Sequence, residues 1–347
     1  MDTASKHQPA VYIILVNWNG WKDTVECLES LLRIDYSRFT VIVCDNGSTD
    51  GSLEKIQNWA EGTLEAPQRS ADFSRLVSPP LPKPIPITKL TASDQYNASG
   101  GANRSLVLIQ VGANRGFAGG NNVGIKYALR QEDCEYIWLL NNDTVVELDS
   151  LTMLLRTAQA VPRIGICGSL LRKYAPPHEV QTVGRTYSRW TGRTHPIPTS
   201  VEMLSGASNY IVEGASMLVS RKFLEQVGLL NEDYFLFFEE LDWVTRSSQA
   251  FCTGYSPESI VYHKVGASTG SAMERSARST LSDFYQARNR LMFTKRYHFW
   301  CLPTVMVAVV AGAMQRALSG RPHNAVAVLR GALASFSRTK SIGPAFP

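Results

Sequence analysis

The chain has no Cys-x-x-Cys pair and no Cys/His run at metal-ligand spacing, and only 19% of its residues are charged. Its six cysteines, Cys27, Cys44, Cys134, Cys167, Cys252 and Cys301, are scattered over 347 residues. Zinc ribbons and disulfide-stapled scaffolds are thereby excluded, and the cysteines read as reduced packing residues of a cytosolic protein. Met1 to Pro9 lacks an apolar core, so no signal peptide is expected. No GxGxxG follows the first apolar run, and no Lys-Ser/Thr closes a glycine loop, which excludes the usual dinucleotide fingerprint and the P-loop. There is no internal repeat, and a hydrophobic content of 44% excludes a disordered or collagen-like chain. One absence is regional: from Phe284 onward there are nine Lys/Arg and no Asp or Glu. Residues 1–283 hold the other 26 basic residues against all 30 acidic ones, a net of −4. An acidic body with a basic tail points to an anionic surface, either nucleic acid or membrane.

What is present alternates. Val11–Val16 is a continuous apolar run, as expected of a strand buried on both faces, and it ends in the turn cluster Asn17-Trp18-Asn19-Gly20. Trp21, Val25, Leu28 and Leu32 then recur at the spacing of one helix face. A strand Thr40–Cys44 stops at Asp45-Asn46-Gly47, and a helix Leu53–Trp59 follows. Residues 62–104 break the pattern: Pro79, Pro80, Pro82, Pro84 and Pro86 predict a surface insertion without regular structure, largely mobile. The alternation resumes with strand Leu106–Val111, helix Asn122–Arg130, strand Tyr136–Leu140, helix Leu151–Ala160 and strand Ile164–Gly168, before a less regular part through Ala215–Val219 and Phe235–Phe238. The expected fold class is α/β, a mostly parallel Rossmann-like sheet flanked by helices, with a C-terminal helical extension.

In such sheets ligands bind beyond the carboxyl ends of the strands. Polar residues stand at three of those ends: Asn17 and Asn19, Asp45 and Asn46, and Asn141-Asn142-Asp143. Each cluster can be a simple turn or part of a site; an acid such as Asp143, held out by an apolar strand, can ligate Mg²⁺ or Mn²⁺. Gly112 to Asn122 reads as a glycine-rich loop that either makes a tight turn or, with Arg115, cradles an anion at a helix start. Glu239, Glu240 and Asp242 follow the apolar Phe235–Phe238, either as a charged helix start or as acids with raised pKa values suited to general-base work. His263 reads as a packed residue or a metal ligand.

Taken in order, "VNWNG", "VCDNGSTDGS", "GANRGFAGGNNVG", "WLLNNDTVV", "VEGASMLVSRKFLEQVGLLNEDYFLFFEELDW" and "VYHKVGAS" resemble the inverting nucleotide-sugar glycosyltransferases of family 2, nearest the rhamnosyltransferase-like branch with a GT-A fold. The resemblance covers roughly residues 10–270. It implies a GT-A domain over 1–270, with 62–104 as an insertion and 271–347 as the extension. It also implies an enzyme of the hexosyltransferase type, moving a sugar (rhamnose is a candidate) from a dTDP- or UDP-sugar donor to a saccharide or polyprenyl-diphosphate-linked acceptor in cell-surface polysaccharide synthesis. By the same resemblance Asn17, Asn19, Asp45, Asn46, Arg115, Gly116, Gly119, Asn121, Asn141 and Asn142 would line the nucleotide-sugar site. Asp143 and His263 would hold a divalent metal, Mg²⁺ or Mn²⁺. Glu240 would be the catalytic base, with Asp242 and Glu239 assisting. Two departures stand out: Asn141 replaces the first acid of the family's DxD element, and the base is Glu240 where Asp is more frequent. The first keeps open a nucleotide-sugar-binding protein with impaired catalysis, and the second leaves open which acid removes the proton.

The tail carries no formal charge from Tyr297 to Gln315, and its strongly apolar part, Leu302–Met314, is 13 residues, too short to span a bilayer comfortably and containing Pro303. With a second apolar helix, Ala325–Phe336, it forms either a hairpin packed on the body or an element lying in the headgroup layer of an anionic membrane. Nucleic acid is the weaker partner, since the tail is apolar between its charges and offers no stacking platform. The expected location is cytoplasmic and peripheral, on the inner face of the cell membrane.

Overall fold

The computed structural model describes residues 8–67, 70–94, 105–197, 210–247, 249–264 and 279–337. The first part of the chain alternates as β1 (Ala10–Asn17), α1 (Trp21–Leu31), β2 (Phe39–Asp45), α2 (Ser52–Glu61), α3 (Ser74–Val77), β3 (Ile87–Thr91), β4 (Ser105–Gln110), α4 (Gly116–Leu129), β5 (Cys134–Asn141) and β6 (Thr144–Val146). It continues with α5 (Ser150–Ala160), β7 (Ile164–Lys173), β8 (Val180–Thr182), β9 (Arg185–Ser188), β10 (Arg193–Pro196), β11 (Ser216–Ser220), α6 (Arg221–Val227), α7 (Glu239–Ser247) and β12 (Cys252–His263). Three helices close it: α8 (Thr280–Tyr297), α9 (Leu302–Leu318) and α10 (Pro322–Ala334).

Among the described residues ten strands form one sheet in the order β3-β4-β2-β1-β5-β11-β7-β12-β6, with β8 on β7, while β9 and β10 make a separate hairpin. β3, β4, β2, β1 and β5 run parallel, and β11 enters antiparallel between β5 and β7. The continuous apolar strands are explained by burial on both faces. Val11, Ile13 and Leu15 of β1 join one core with α1, α2 and α5, whereas Tyr12 and Ile14 join a second with α4, α6 and α7. Strand side chains alternate between faces, so each strand serves both layers.

The insertion departs from expectation. Its 3₁₀ turn Ala71–Phe73 and α3 bury Phe73, Leu76 and Val77, and β3 pairs parallel with β4 as the edge strand. The proline-rich segment is tied down through backbone groups: Leu81 N–H donates to Glu29 Oε2 (3.0 Å) and Ile85 N–H to the Ala60 carbonyl (2.8 Å). Proline forbids a central strand, not a fixed path. The "glycine loop" is also different, because α4 starts at Gly116 and contains Gly119, Gly120 and Gly124. A Cβ at Gly120 would stand 2.8 Å from Val16 Cγ1, and one at Gly124 2.7 Å from Ile14 Cγ2, so these glycines let the helix lie directly on β1.

The helical run at the end is longer than its 13 apolar residues suggest. Phe299–Leu318 is a 20-residue run, long and apolar enough by length and composition to cross a membrane. Pro303 sits in the first turn of α9, where proline is accommodated. One face is packed: Val305, Val309 and Ala313 meet Ala287 and Leu291 of α8 and Ala325 and Val328 of α10. The opposite face presents Trp300, Val307, Met314, Leu318 and, from α10, Leu333, each more than half exposed.

Candidate active site

The strand ends align as the parallel register dictates. Asn17 pairs with Asp45 and Val16 with Asn141, so the polar ends of β1, β2 and β5 stand side by side. Asn17 is wholly buried; its Nδ2 donates to Asp45 Oδ1 (2.8 Å) and Ser48 Oγ (3.1 Å), and its Oδ1 accepts from Thr24 Oγ1 (2.9 Å). Asn142 extends the chain through its own bond to Thr24 Oγ1 (2.9 Å). Asn19 caps the neighbouring turn, accepting from Thr49 N–H (2.8 Å). Asn46 is buried and ties the end of β2 to the start of α4, accepting from Arg115 N–H (3.0 Å) and donating to the Gly116 carbonyl (3.1 Å). Gly116 has φ +69°, and a Cβ there would lie 2.0 Å from the Phe235 carbonyl, so only glycine lets α4 begin against the segment preceding α7. Asn121 bonds back to the Phe117 carbonyl (2.9 Å), Gly119 packs on Arg115, and the Arg115 side chain is exposed at the N-terminus of α4.

Beyond β5, Asp143 and His263 meet across the β6–β12 pair, with Asp143 Oδ1 3.3 Å from His263 Nε2 and Asn141 Nδ2 3.3 Å from the same nitrogen. Burial works against the Asp143 carboxylate, yet the imidazole beside it and then Lys264 more than offset this and leave the group below its ordinary value. Lys264 is itself fixed between Asp23 and Glu26, each at 2.5 Å. A carboxylate oxygen and an imidazole nitrogen at this separation form a donor pair that Mn²⁺ or Mg²⁺ accepts. Among the described residues no cluster of three or more His, Cys, Asp or Glu suits a metal, so this pair leaves most coordination positions to oxygens from elsewhere. The far side of the ring adds Gln181 of β8, 3.2 Å from Nδ1 through its Nε2, while its Oε1 is buried with no hydrogen-bond partner among the described residues. Turning the amide over places Oε1 on an Nδ1–H and leaves Nε2 of the histidine as a lone-pair donor, the tautomer a metal needs.

The acids after Phe238 separate into three roles. Glu240 packs against Gly214, where an added Cβ would stand 2.3 Å from its Oε1, so the approach requires glycine. Burial first, then the nearby Glu213 carboxylate, push Glu240 up to about 7, with Arg185 and the Gly214 backbone opposing. Glu239 is buried, its Oε2 has no hydrogen-bond partner among the described residues, and burial with the adjacent Glu240 holds it well above the carboxyl range. Asp242 does not join them: Oδ2 accepts from Arg246 Nε (2.8 Å) and Oδ1 from Tyr297 Oη (2.7 Å), so its carboxylate is committed to joining α7 and α8. The Asn141 N–H donates to the Ala215 carbonyl (3.0 Å), which brings the Gly214 end of β11 beside the end of β5. Phe237 and Phe238 precede α7 with φ +70° and +77°, a conformation that costs bulky L-residues about 1–2 kcal/mol each. Asn289 of α8 holds them there by donating to the Leu236 (2.8 Å) and Phe237 (3.0 Å) carbonyls. Gln181, Glu213, Arg185 and Asn289 were not anticipated from sequence. Only Glu213 carried a signal, being part of the "VEGASM" motif.

The 12–69 segment matches the family described as "Glycosyl transferase family 2". The chain's similarity to the low-salt glycan biosynthesis hexosyltransferase Agl10 of Haloferax volcanii is 30% identity over 140 residues, 40% of this chain and 45% of that protein. The chain thus matches under half the length of this curated relative. In fold it is similar to the mannosyltransferase PcManGT of Pyrobaculum calidifontis, solved with GDP-Man and Mn²⁺, with a TM-score of 0.52, 15% identity and coverage of 95% of this chain and 88% of that one. It is also similar to GalNAc-T7, solved with UDP, GalNAc and Mn²⁺, with a TM-score of 0.50, 12% identity and coverage of 82% and 51%. The chain accordingly has the GT-A architecture expected of it, a mostly parallel sheet flanked by helices.

Proposed function

We propose that the chain transfers a hexose from a nucleoside-diphosphate donor to a hydroxyl of a saccharide acceptor by a single inverting displacement, with Glu240 as the base. The observation that carries this reading is the Glu240 carboxylate seated on Gly214, pushed up to about 7, beside the strand end that presents Asn141 and Asp143. A base titrating near neutrality is ionised often enough to act and basic enough to accept a hydroxyl proton. As Glu240 takes that proton, the acceptor oxygen forms its bond to C1 and the bond from C1 to the diphosphate breaks, the electron pair leaving with the diphosphate. Arg115, exposed at the positive end of the α4 dipole, meets the charge so released. A divalent cation, Mn²⁺ or Mg²⁺, held by Asp143 and His263 would supply further positive charge to the diphosphate. One carboxylate then suffices, unlike the pair a glycosidase needs across its bond.

Asp45, held by Asn17 and Ser48, and Asn19 would border the nucleoside; Glu239, kept neutral, would orient Glu240. Asp242 is read as a positioning residue. The donor is a dTDP- or UDP-sugar, rhamnose is one candidate sugar, and the acceptor is a saccharide, free or lipid-linked. The exposed apolar face of α9 and α10, with Phe299 and Trp300 at its start, supports residence on an anionic membrane surface rather than insertion across it, because the other face is packed on α8.

The test is a donor screen with Mn²⁺ on wild type and Asp143→Ala. Metal-dependent release of nucleoside diphosphate from one donor, lost in the variant, is expected. Nucleotide binding with no transfer from any donor to saccharide or water would leave a binding protein instead.

A further inference from the structure

Beside the base lies a cavity of about 280 Å³ between the β9–β10 hairpin and the three C-terminal helices. This is near the lower end of small-molecule pockets, about 300–1,000 Å³, and suits a compact group rather than a whole nucleotide sugar. Its lining brings four guanidinium groups together, Arg185, Arg193, Arg290 and Arg316, against one carboxylate, Asp283. Asp283 is spoken for: Arg316 holds it through two nitrogens (2.8 and 2.5 Å) and Asn324 through one (2.8 Å). Two of the remaining arginines, Arg185 and Arg290, are fixed in place by backbone and hydroxyl groups. Arg185 Nε donates to Thr194 Oγ1 (2.9 Å), and Arg290 donates to the Thr191 carbonyl. Gly192 makes that approach possible, since a Cβ there would stand 2.9 Å from Arg290 Cγ. Arginine forks anchored this way match the geometry of phosphate oxygens.

The lining draws on the segment before α7 on one side and on α9 on the other. Arg185 also reaches Glu213 (3.5 Å), the carboxylate that faces Glu240, and Phe238, two residues before the base, lines the cavity. Val309, Gly312 and Arg316 bring in α9, whose far side carries the exposed apolar residues. We propose that this cavity seats the phosphate or diphosphate group of the acceptor, anchoring it so that the acceptor hydroxyl reaches Glu240. The inference rests on the transferase reading above, but its test does not.

The full chain is titrated with inorganic pyrophosphate in EDTA, which keeps the Asp143/His263 pair from binding the probe through a metal. Saturable binding is expected, weakened about tenfold or more by Arg193→Gln and by Arg290→Gln, the loss of one charge-assisted hydrogen bond. Gln286→Glu adds a carboxylate to the lining without removing an arginine, and it is expected to cause the same loss; thermal melts confirm that each variant is folded. Absent binding, or binding unchanged in all three variants, overturns the proposal. Vesicles then separate the sources of the group. Retention on phosphatidylcholine vesicles carrying a prenyl diphosphate, reversed by pyrophosphate and lost in Arg290→Gln, supports a lipid-linked acceptor. Pyrophosphate binding with no such retention supports a soluble phosphorylated one. Either result is independent of whether a nucleotide-sugar donor is consumed, so failure here and failure of the transferase reading are distinguishable.

Discussion

Replacing Glu240 by Gln tests the site through two quantities that move in opposite directions. The substitution keeps the shape over Gly214 and removes only the charge. Glu240 is raised from 4.5 to about 7, mainly by burial, and each unit corresponds to 1.36 kcal/mol. The ionised carboxylate therefore costs the folded chain at most about 3 kcal/mol at high pH, less where solvent reaches it. A group raised in the folded state leaves stability intact below its unfolded value and erodes it as pH climbs to its folded value. Wild type and Glu240→Gln should consequently match near pH 4, diverge between about 4.5 and 7, and differ by about 1–3 kcal/mol in favour of the variant above pH 8. Catalysis should move the other way: kcat falls by about 10²–10⁴, the usual worth of a general base, with little change in donor KM. The wild-type rate should rise with pH through about 7, and the variant should lack that limb. Urea denaturation at several pH values and a coupled assay for released nucleoside diphosphate give both quantities. A variant that is no more stable at pH 8, or one that keeps turnover within tenfold, would refute the assignment.

Three further outcomes follow from the same geometry. Gln181→Leu should weaken Mn²⁺ binding about 10–100-fold by electron paramagnetic resonance, because the histidine tautomer is no longer set, while His263→Ala should weaken it further. Asp242→Asn weakens the pair with Arg246 within α7 and the tie to Tyr297 of α8; a loss of about 2–4 kcal/mol on denaturation is expected, with the pH limb of kcat still in place because Glu240 remains. Gly124→Val forces α4 away from Ile14 and Cys44, for a loss of about 1–3 kcal/mol or more, whereas the same change at Gly320, which has open space, should act only through its backbone.

The strands β1, β2, β4 and β5 were legible because a strand buried on both faces reads as an unbroken apolar run, and α1 because its apolar residues recur on one face. The helix expected over Asn122–Arg130 is the later part of α4; its first turns were not legible, since Gly119 and Gly120 look like a loop by propensity, and the contact of Gly120 with β1 is tertiary. β3 was hidden because an edge strand of Ile, Thr and Lys among prolines has no buried pattern to show. Among the site residues Asp143, His263 and Glu240 were visible as polar residues closing apolar runs. Gln181, Arg185 and Arg193 lie in a stretch without periodicity, and they acquire meaning only where β8 and the β9–β10 hairpin fold against β12 and α8. Asp242 shows the converse: its place in the "EELDW" run says nothing of Arg246 and Tyr297, which take up both its oxygens.

The central claim, inverting transfer with Glu240 as base, is tested most directly by proton NMR of the first turnover. The chain is mixed with Mg²⁺, which unlike Mn²⁺ does not broaden the spectrum, a donor that it consumes and an acceptor saccharide, and the configuration of the new linkage is read from its one-bond C1–H1 coupling. The account predicts a product whose anomeric configuration is opposite to that of the donor, formed by wild type and not by Glu240→Gln. A product of retained configuration, or equal product from the variant, would contradict it.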